Sequence, residues 1–156
     1  MSEFVKNKLM VKCNNTEIRN NIKNMLFTED ENQNQVFTMQ RLLPLPKDLP
    51  DPGEYQLLGS DWRVAIWGTK YDALGCKISG NSDTISISYE TADDPNMKWI
   101  EALCRYILVM SSLEVYNGEA KISLNFSFYR LIDDAAGKLE WTPDNGFRYM
   151  EGERIF

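Results

Sequence analysis

Strict alternation of apolar and polar residues predicts several strands in this chain, because side chains alternate between the two faces of a strand. Lys8–Cys13 and Thr84–Glu90 alternate most regularly. We expect Leu9, Val11 and Cys13 to share one buried face and Ile85, Ile87 and Tyr89 another. Further strands are predicted near Val36, Ile78, Val115 and Leu124.

Turn residues between these runs predict how the strands connect. The segment 80–83 separates Cys76–Ser79 from the strand that follows it, and Asn117-Gly118 separates 113–116 from 121–128. Both arrangements are typical of β-hairpins, and Asn-Gly is the strongest short hairpin signal. Leu139–Trp141 is predicted as a last edge strand.

Helical spacing of apolar residues predicts two main helices, Asn15–Phe27 and Pro95–Met110. Asn14 is the expected cap of the first helix and Asp94 that of the second, where proline would take the first helical position. The buried stripe of the first helix should contain Ile18, Ile22, Met25 and Leu26. That of the second should contain Ile100, Leu103, Cys104, Ile107 and Leu108.

Two features separate these elements. A short helix is predicted over Trp62–Trp67, ended by Gly68 in a left-handed conformation. Before it, the segment 42–53 holds four prolines, which exclude a regular helix or a central strand. Its leucines favour a loop packed on the protein, and a proline-rich ligand for a partner's aromatic groove is the alternative.

The order of these elements predicts one α+β domain over residues 1–156. We expect an antiparallel sheet with both main helices on one face, the Trp62–Trp67 helix as an insertion, and a C-terminal extension. A length of 156 residues suits a single domain with its own core.

Composition limits the functions that fit. The net charge of −6 disfavours non-specific attraction to nucleic acid or to an anionic membrane, so we predict no direct nucleic-acid binding and no membrane partner. The first residues lack the apolar core of a secretory signal, which predicts a cytoplasmic location. Cys13, Cys76 and Cys104 are odd in number and far apart, so free cysteines are expected, and no cofactor or metal is predicted.

The chain contains no histidine, which excludes Ser-His-Asp and Cys-His catalysis and histidine-ligated zinc. An enzyme built on this sequence would have to use carboxylates, lysines or tyrosines.

The densest stretch of aromatic and charged residues, 61–74, is the candidate site. We expect it to lie close to the segment 90–94, so the predicted binding residues are Arg63, Trp67, Lys70, Tyr71, Asp72, Glu90 and Asp93. The structural alternative is that Lys70 and Asp72 bond loop backbone while Trp62 and Trp67 fill the core.

Three segments carry a family resemblance. Phe37–Pro46, the run from Asp61 to Ala73 with its Trp67-Gly68-Thr69-Lys70 core, and Tyr89–Ala92 before a proline and a helix resemble the Api92-like family, also called the YubB ferredoxin-like domain. The resemblance implies a ferredoxin-like α+β fold and occurrence on phages and plasmids, and it implies no activity. The chain departs from the family pattern at Tyr71, where tryptophan is usual, and at Asp93-Asp94, where a small polar or aromatic residue is more common.

Three functions are compatible with the sequence. A protein-interaction or regulatory module of mobile-element type, with an unknown protein partner, fits the small domain and the lack of histidine. An acidic inhibitor that mimics nucleic acid would need its carboxylates in rows on one face. A carboxylate-based hydrolase would need two carboxylates at a defined separation.

Overall fold

The computed structural model describes residues 3–47, 60–113 and 120–152. For Ser60 it describes only the backbone. The strands are β1 Phe4–Cys13, β2 Phe27–Glu29, β3 Gln35–Phe37, β4 Leu74–Gly80, β5 Thr84–Ala92, β6 Ile122–Arg130, β7 Ala135–Thr142 and β8 Gly146–Glu151. The helices are α1 Thr16–Leu26, α2 Ser60–Ile66 and α3 Met97–Ser111, and a 3₁₀ turn spans Leu131–Asp133. The predicted α+β class with a large antiparallel sheet is confirmed.

The main sheet has six strands in the order β4-β5-β1-β6-β7-β8, and every neighbouring pair is antiparallel. β1 lies at the centre, with Leu9 opposite Ile87 of β5 on one side and Phe126 of β6 on the other. The C-terminal strands β7 and β8 extend this sheet. Leu139–Trp141 was expected at an edge, which is wrong, because β7 lies between β6 and β8 and β8 forms the edge.

The two faces of the sheet differ. Along β1, side chains alternate between exposed and buried from Phe4 to Cys13 without interruption. The predicted inward residues of β1 and β5 are all buried, which confirms the strand faces. They join one hydrophobic cluster with the buried stripes of α1 and α3. The stripe of α1 consists of Ile18, Ile22 and Leu26, and that of α3 consists of Trp99, Ile100, Leu103, Cys104, Ile107 and Met110. Leu108 was expected in that stripe, but its side chain is exposed.

The strand predicted near Val36 is not part of the main sheet. β3 pairs with β2, a three-residue strand that directly follows α1, and the two form a separate antiparallel sheet with Phe27 opposite Phe37. Residues 27–37 therefore form a small hairpin.

Both predicted helix caps are wrong by position. The N-cap of α1 is Asn15, whose side chain accepts from the Ile18 N–H, while the Asn14 side chain accepts from the backbone of Lys121. α3 begins at Met97, two residues later than expected, after Asn96. Asp94 does not cap it, because the Asp94 carboxylate pairs with Arg130 of β6 at 3.1 Å.

Some predictions fall on residues outside the described ranges. The second half of the proline-rich segment and most of the strand expected near Val115, with its Asn-Gly turn, are among them. Within the described part of the chain, no helix is long and apolar enough to cross a membrane.

Candidate functional site

The end of α2 is fixed against the beginning of α3. The Trp67 carbonyl accepts from the Trp99 N–H at 3.2 Å, and Gly68 follows at a φ of +91°. A Cβ at Gly68 would lie 3.3 Å from backbone atoms of Pro95, Met97 and Lys98. Glycine is therefore required here both by the left-handed conformation and by the close approach of two backbones.

Trp67 is a core residue. Its side chain is fully buried, which confirms the expectation that Trp67 fills the core. Its Nε1 donates to the Leu43 carbonyl at 2.9 Å. Trp62 packs edge-on against it, with ring centroids 5.7 Å apart, and is half-buried. The hydrogen bond of the Trp67 indole thereby connects the beginning of the proline-containing segment 42–53 to α2.

Arg63 lies behind the loop that follows α2. Its side chain is fully buried, Nε donates to the Lys70 carbonyl, and its guanidinium lies 5.5 Å from the centroid of the Tyr71 ring. Burial lowers the pKa of this guanidinium from its usual value. Arg63 thus holds the Lys70-Tyr71 backbone against α2 and stacks on Tyr71 from within.

Lys70 and Asp93 form a salt bridge of 2.7 Å at the protein surface. Asp93 has a φ of +63°, and its carboxylate also accepts from the Glu3 N–H at 2.9 Å. Burial disfavours the charged form of Asp93, but the bonds from Lys70 and Glu3 outweigh it and lower the pKa of the carboxyl group. The same pair raises the pKa of Lys70. Next to it, Thr69 donates to the Ala92 carbonyl at 2.8 Å.

The Asp72 carboxylate accepts three hydrogen bonds. Thr38 Oγ1 donates at 2.6 Å, the Met39 N–H at 2.9 Å and the Ala73 N–H at 2.8 Å. Asp72 therefore fixes the segment after β3 to the beginning of β4.

The predicted site residues thus fall into separate contacts. Arg63 contacts Lys70 and Tyr71, Lys70 pairs with Asp93, and Asp72 bonds the segment at Thr38. Glu90 lies elsewhere, on the opposite face of β5 from buried Tyr89 and opposite Lys6 of β1.

A buried polar network lies next to this region and was not predicted. Asn7 donates to Thr91 Oγ1 at 3.0 Å, and the Tyr89 hydroxyl donates to Asn96 at 2.7 Å. Burial raises the pKa of Tyr89 far above its usual value. The signal in the sequence was Asn7, a polar residue in the buried register of β1.

A cleft lies between α2 and α3. It has a volume of about 270 Å³, and its lining residues are Leu43, Ala65, Ile66, Lys98, Glu101, Ala102 and Arg105. Apolar side chains share it with charges of both signs, and Lys98 donates to the Ala65 carbonyl at 3.2 Å across it. Glu101 and Arg105 lie four residues apart on α3.

Among the residues that the structure describes, no group of three or more cysteines and acidic residues could hold a metal ion. No family model, curated protein or solved structure matches this chain.

Proposed function

We propose that this domain is a protein-interaction module, and that it binds a segment of its partner in the cleft between α2 and α3. The observation that carries the proposal is the cleft itself, in which Ile66 and Ala102 lie beside Lys98 and Arg105. The partner segment would insert one apolar side chain and pair a neighbouring carboxylate with one of these two cations.

The size of the cleft favours a protein segment over a metabolite. Its volume of about 270 Å³ is below the roughly 300–1,000 Å³ of small-molecule sites, and it suits a single large side chain. The surface also continues along α3, because Ala102, Arg105 and Val109 follow one another on the same helical stripe. Val109 is 69% exposed, so the stripe offers apolar area beyond the cleft.

The candidate site residues support this cleft from behind. Trp67 holds α2 against the loop that contains Leu43, and Arg63 holds the segment after α2 in place. In the proposal, these residues set the position of α2, and with it the width of the cleft, without touching the partner.

For the fold, we propose a ferredoxin-like arrangement with α1 and α3 on one face of the sheet. The order β4-β5-β1-β6 supports it, because β1 lies between β5 and β6 while α1 follows β1 and α3 follows β5. The shared hydrophobic cluster of the two helices supports it as well. With the resemblance to the Api92-like family, this leads us to propose a regulatory module of mobile-element type. We find no observation that favours the acidic mimic or the hydrolase.

The proposal is tested by filling the cleft. Ala102→Trp places an indole in it, and Asn24→Trp places the same side chain on the exposed surface of α1 as a control. The tagged parent and both variants are used for affinity capture from the organism that encodes the chain, followed by quantitative mass spectrometry. We expect one partner to be captured by the parent and by Asn24→Trp and to be lost with Ala102→Trp.

Two further measurements make the result decisive. Thermal melting must show that Ala102→Trp is folded, and a photo-crosslinker placed at Arg105 should join the captured partner while one at Glu31, on the β2–β3 turn, should not. If every captured protein is retained by folded Ala102→Trp, or if the parent captures nothing above an empty tag, the proposed cleft function is wrong.

A further inference from the structure

The face of the sheet that does not join the core carries a regular array of lysines. On β1, Lys6, Lys8 and Lys12 occupy the exposed register together with Met10. Residues two apart on a strand lie about 7 Å apart on the same face. The central strand therefore presents three ammonium groups along about 20 Å of its length.

The strand register produces a second row that crosses the first. Lys8 lies opposite Ser88 of β5, which lies opposite Lys77 of β4. On the other side, Lys8 lies opposite Ser127 of β6, which lies opposite Lys138 of β7. Lysine and serine thus alternate across five strands, with lysines about 10 Å apart.

This face has a surplus of positive charge in an acidic protein. With Arg148 of β8, which lies opposite Glu140, the strands of this face contain six cationic side chains and two carboxylates, Glu90 and Glu140. A third carboxylate, that of Asp134 after β6, accepts from the Tyr129 hydroxyl. Lys70 and Arg130 elsewhere have carboxylate partners. None of the six has a salt bridge to another residue in the described part of the chain.

The side chains of this face indicate which kind of anion it binds. Lysine with serine, threonine and asparagine is the set of side chains that contacts phosphate and sugar oxygens of nucleic acids. Ser88, Ser127 and exposed Asn125 lie between the cations. A protein partner would need an apolar or aromatic centre in its interface. Met10 is the exposed large apolar side chain between the cations of these rows, whereas Phe4 and Leu74 lie at the beginnings of β1 and β4. The middle of the face is therefore polar and cationic.

We propose that the open face of the sheet binds the sugar-phosphate backbone of nucleic acid without reading its sequence. Tyr129, the aromatic residue in the open register of β6, is buried, and the exposed aromatic ring of this register is that of Phe4, at the beginning of β1. The six cations extend over the whole face, so binding should depend mainly on phosphate charge and should weaken steeply with salt.

This inference departs from the expectation drawn from the net charge, and it is independent of the α2–α3 cleft. The expectation used the charge of the whole chain, −6, whereas the fold collects cations on one face. At about 0.15 M salt the Debye length is about 8 Å, so acidic groups on the far side are screened and the local charge of the face decides.

The test is fluorescence anisotropy with labelled duplex DNA and single-stranded RNA from about 50 mM to about 200 mM salt. The variant Lys6→Gln/Lys8→Gln/Lys12→Gln removes three charges from the face. The control Lys23→Gln/Arg41→Gln/Lys47→Gln removes three charges elsewhere, so the net charge is matched. We expect the face variant to weaken binding roughly tenfold or more and to lower the slope of log K against log salt by about three. The control should change affinity less than about threefold.

Two more variants protect the interpretation. Lys6→Arg/Lys8→Arg/Lys12→Arg should keep the affinity, because it keeps the charge. If the glutamine triple variant does not fold, Lys138→Gln/Arg148→Gln should lower the salt slope by about two.

Three results would overturn the proposal. One is the absence of binding by the parent at low salt up to roughly 100 µM protein, the weak end of non-specific affinities. Another is an equal loss in the face variant and the matched control. The third is binding of polyglutamate or of phosphatidylserine vesicles with no binding of either nucleic acid, which would assign the face to an acidic protein or a membrane surface.

Discussion

Replacing Asp72 by asparagine distinguishes a structural carboxylate from one that is held for a ligand. Asparagine has nearly the same shape, so it removes the charge with little change in packing. Its Oδ1 can still accept from the Met39 and Ala73 N–H groups, as the carboxylate does at 2.9 and 2.8 Å. Its amide then faces Thr38, whose hydroxyl donates to the carboxylate at 2.6 Å.

The expected cost follows from these three bonds. A hydrogen bond to a charged group contributes about 1.5–3 kcal/mol and a neutral one about 0.5–1.5 kcal/mol. Two bonds lose charge assistance, and the Thr38 hydroxyl, which already accepts from the Gln40 N–H, loses the acceptor for its own proton. We expect Asp72→Asn to lower the free energy of unfolding by about 2–3 kcal/mol, or the melting temperature by about 5–10 °C.

Urea unfolding and thermal melting at pH 7, followed by circular dichroism, measure this effect. Asp144→Asn is the matched control, because Asp144 is exposed in the β7–β8 turn and should change stability by less than about 0.5 kcal/mol. Asp72→Ala should cost more than Asp72→Asn, since it leaves the N–H of fully buried Met39 without an acceptor. If Asp72→Asn melts like the Asp144→Asn control, the structural reasoning is refuted.

Three further predictions concern the same region. Trp67→Ala should lower the free energy of unfolding by about 3–5 kcal/mol in urea titrations, because the indole is fully buried and bonded to Leu43. Trp67→Phe should lower it by less, and an equal loss in the two variants would show that packing is not the cause. Gly68→Ala should cost about 2 kcal/mol by the same assay, since alanine is strained at a φ of +91°. Asp93→Asn keeps a residue that tolerates positive φ, but it removes the carboxyl group whose pKa is lowered in the folded protein. The carboxylate stabilises the fold above its unfolded pKa of about 3.9, and this contribution disappears as pH falls through the lower folded value. The stability difference between parent and variant, measured by melting from neutral to acidic pH, should therefore shrink below about pH 4, and a difference that grows on acidification would contradict the assignment.

The faces of the central strands could be predicted because their period is local. Once Ile85, Ile87 and Tyr89 face inward, every residue between them must face outward. The same rule places Glu90 on the face of β5 opposite to Tyr89. The expectation that it would converge with Asp93 considered distance along the chain and not the side of the strand.

The helix caps could not be predicted because their competitors are distant in sequence. Asn14 and Asn15 are both good caps, and Asn15 takes the role while the Asn14 side chain accepts from the N–H of Lys121, which precedes the neighbouring strand β6. Asp94 is likewise drawn to Arg130 of β6. Propensity ranks the candidates, but tertiary contacts choose between them.

The contacts of the candidate residues were less accessible to prediction. The segments 61–74 and 90–94 were expected to lie close together, and the salt bridge between Lys70 and Asp93 joins them, but this pair was not predicted. The partners of Asp72 lie in the segment after β3, and nothing in the local sequence points to them. The cleft between α2 and α3 depends on how two helices meet, which a single sequence pattern does not contain.

The position of β1 in the sheet has a consequence during synthesis on the ribosome. This strand comes before the others, yet Val5 pairs with Thr91 on one side and Arg130 on the other. At about 5–20 residues per second, β1 must wait on the order of 10 s before its second neighbour has been made. During that time its apolar residues alternate with Lys6, Lys8 and Lys12. Closely spaced lysines discourage strand-to-strand aggregation, so they would also keep the nascent strand from pairing with other chains until β5 and β6 arrive.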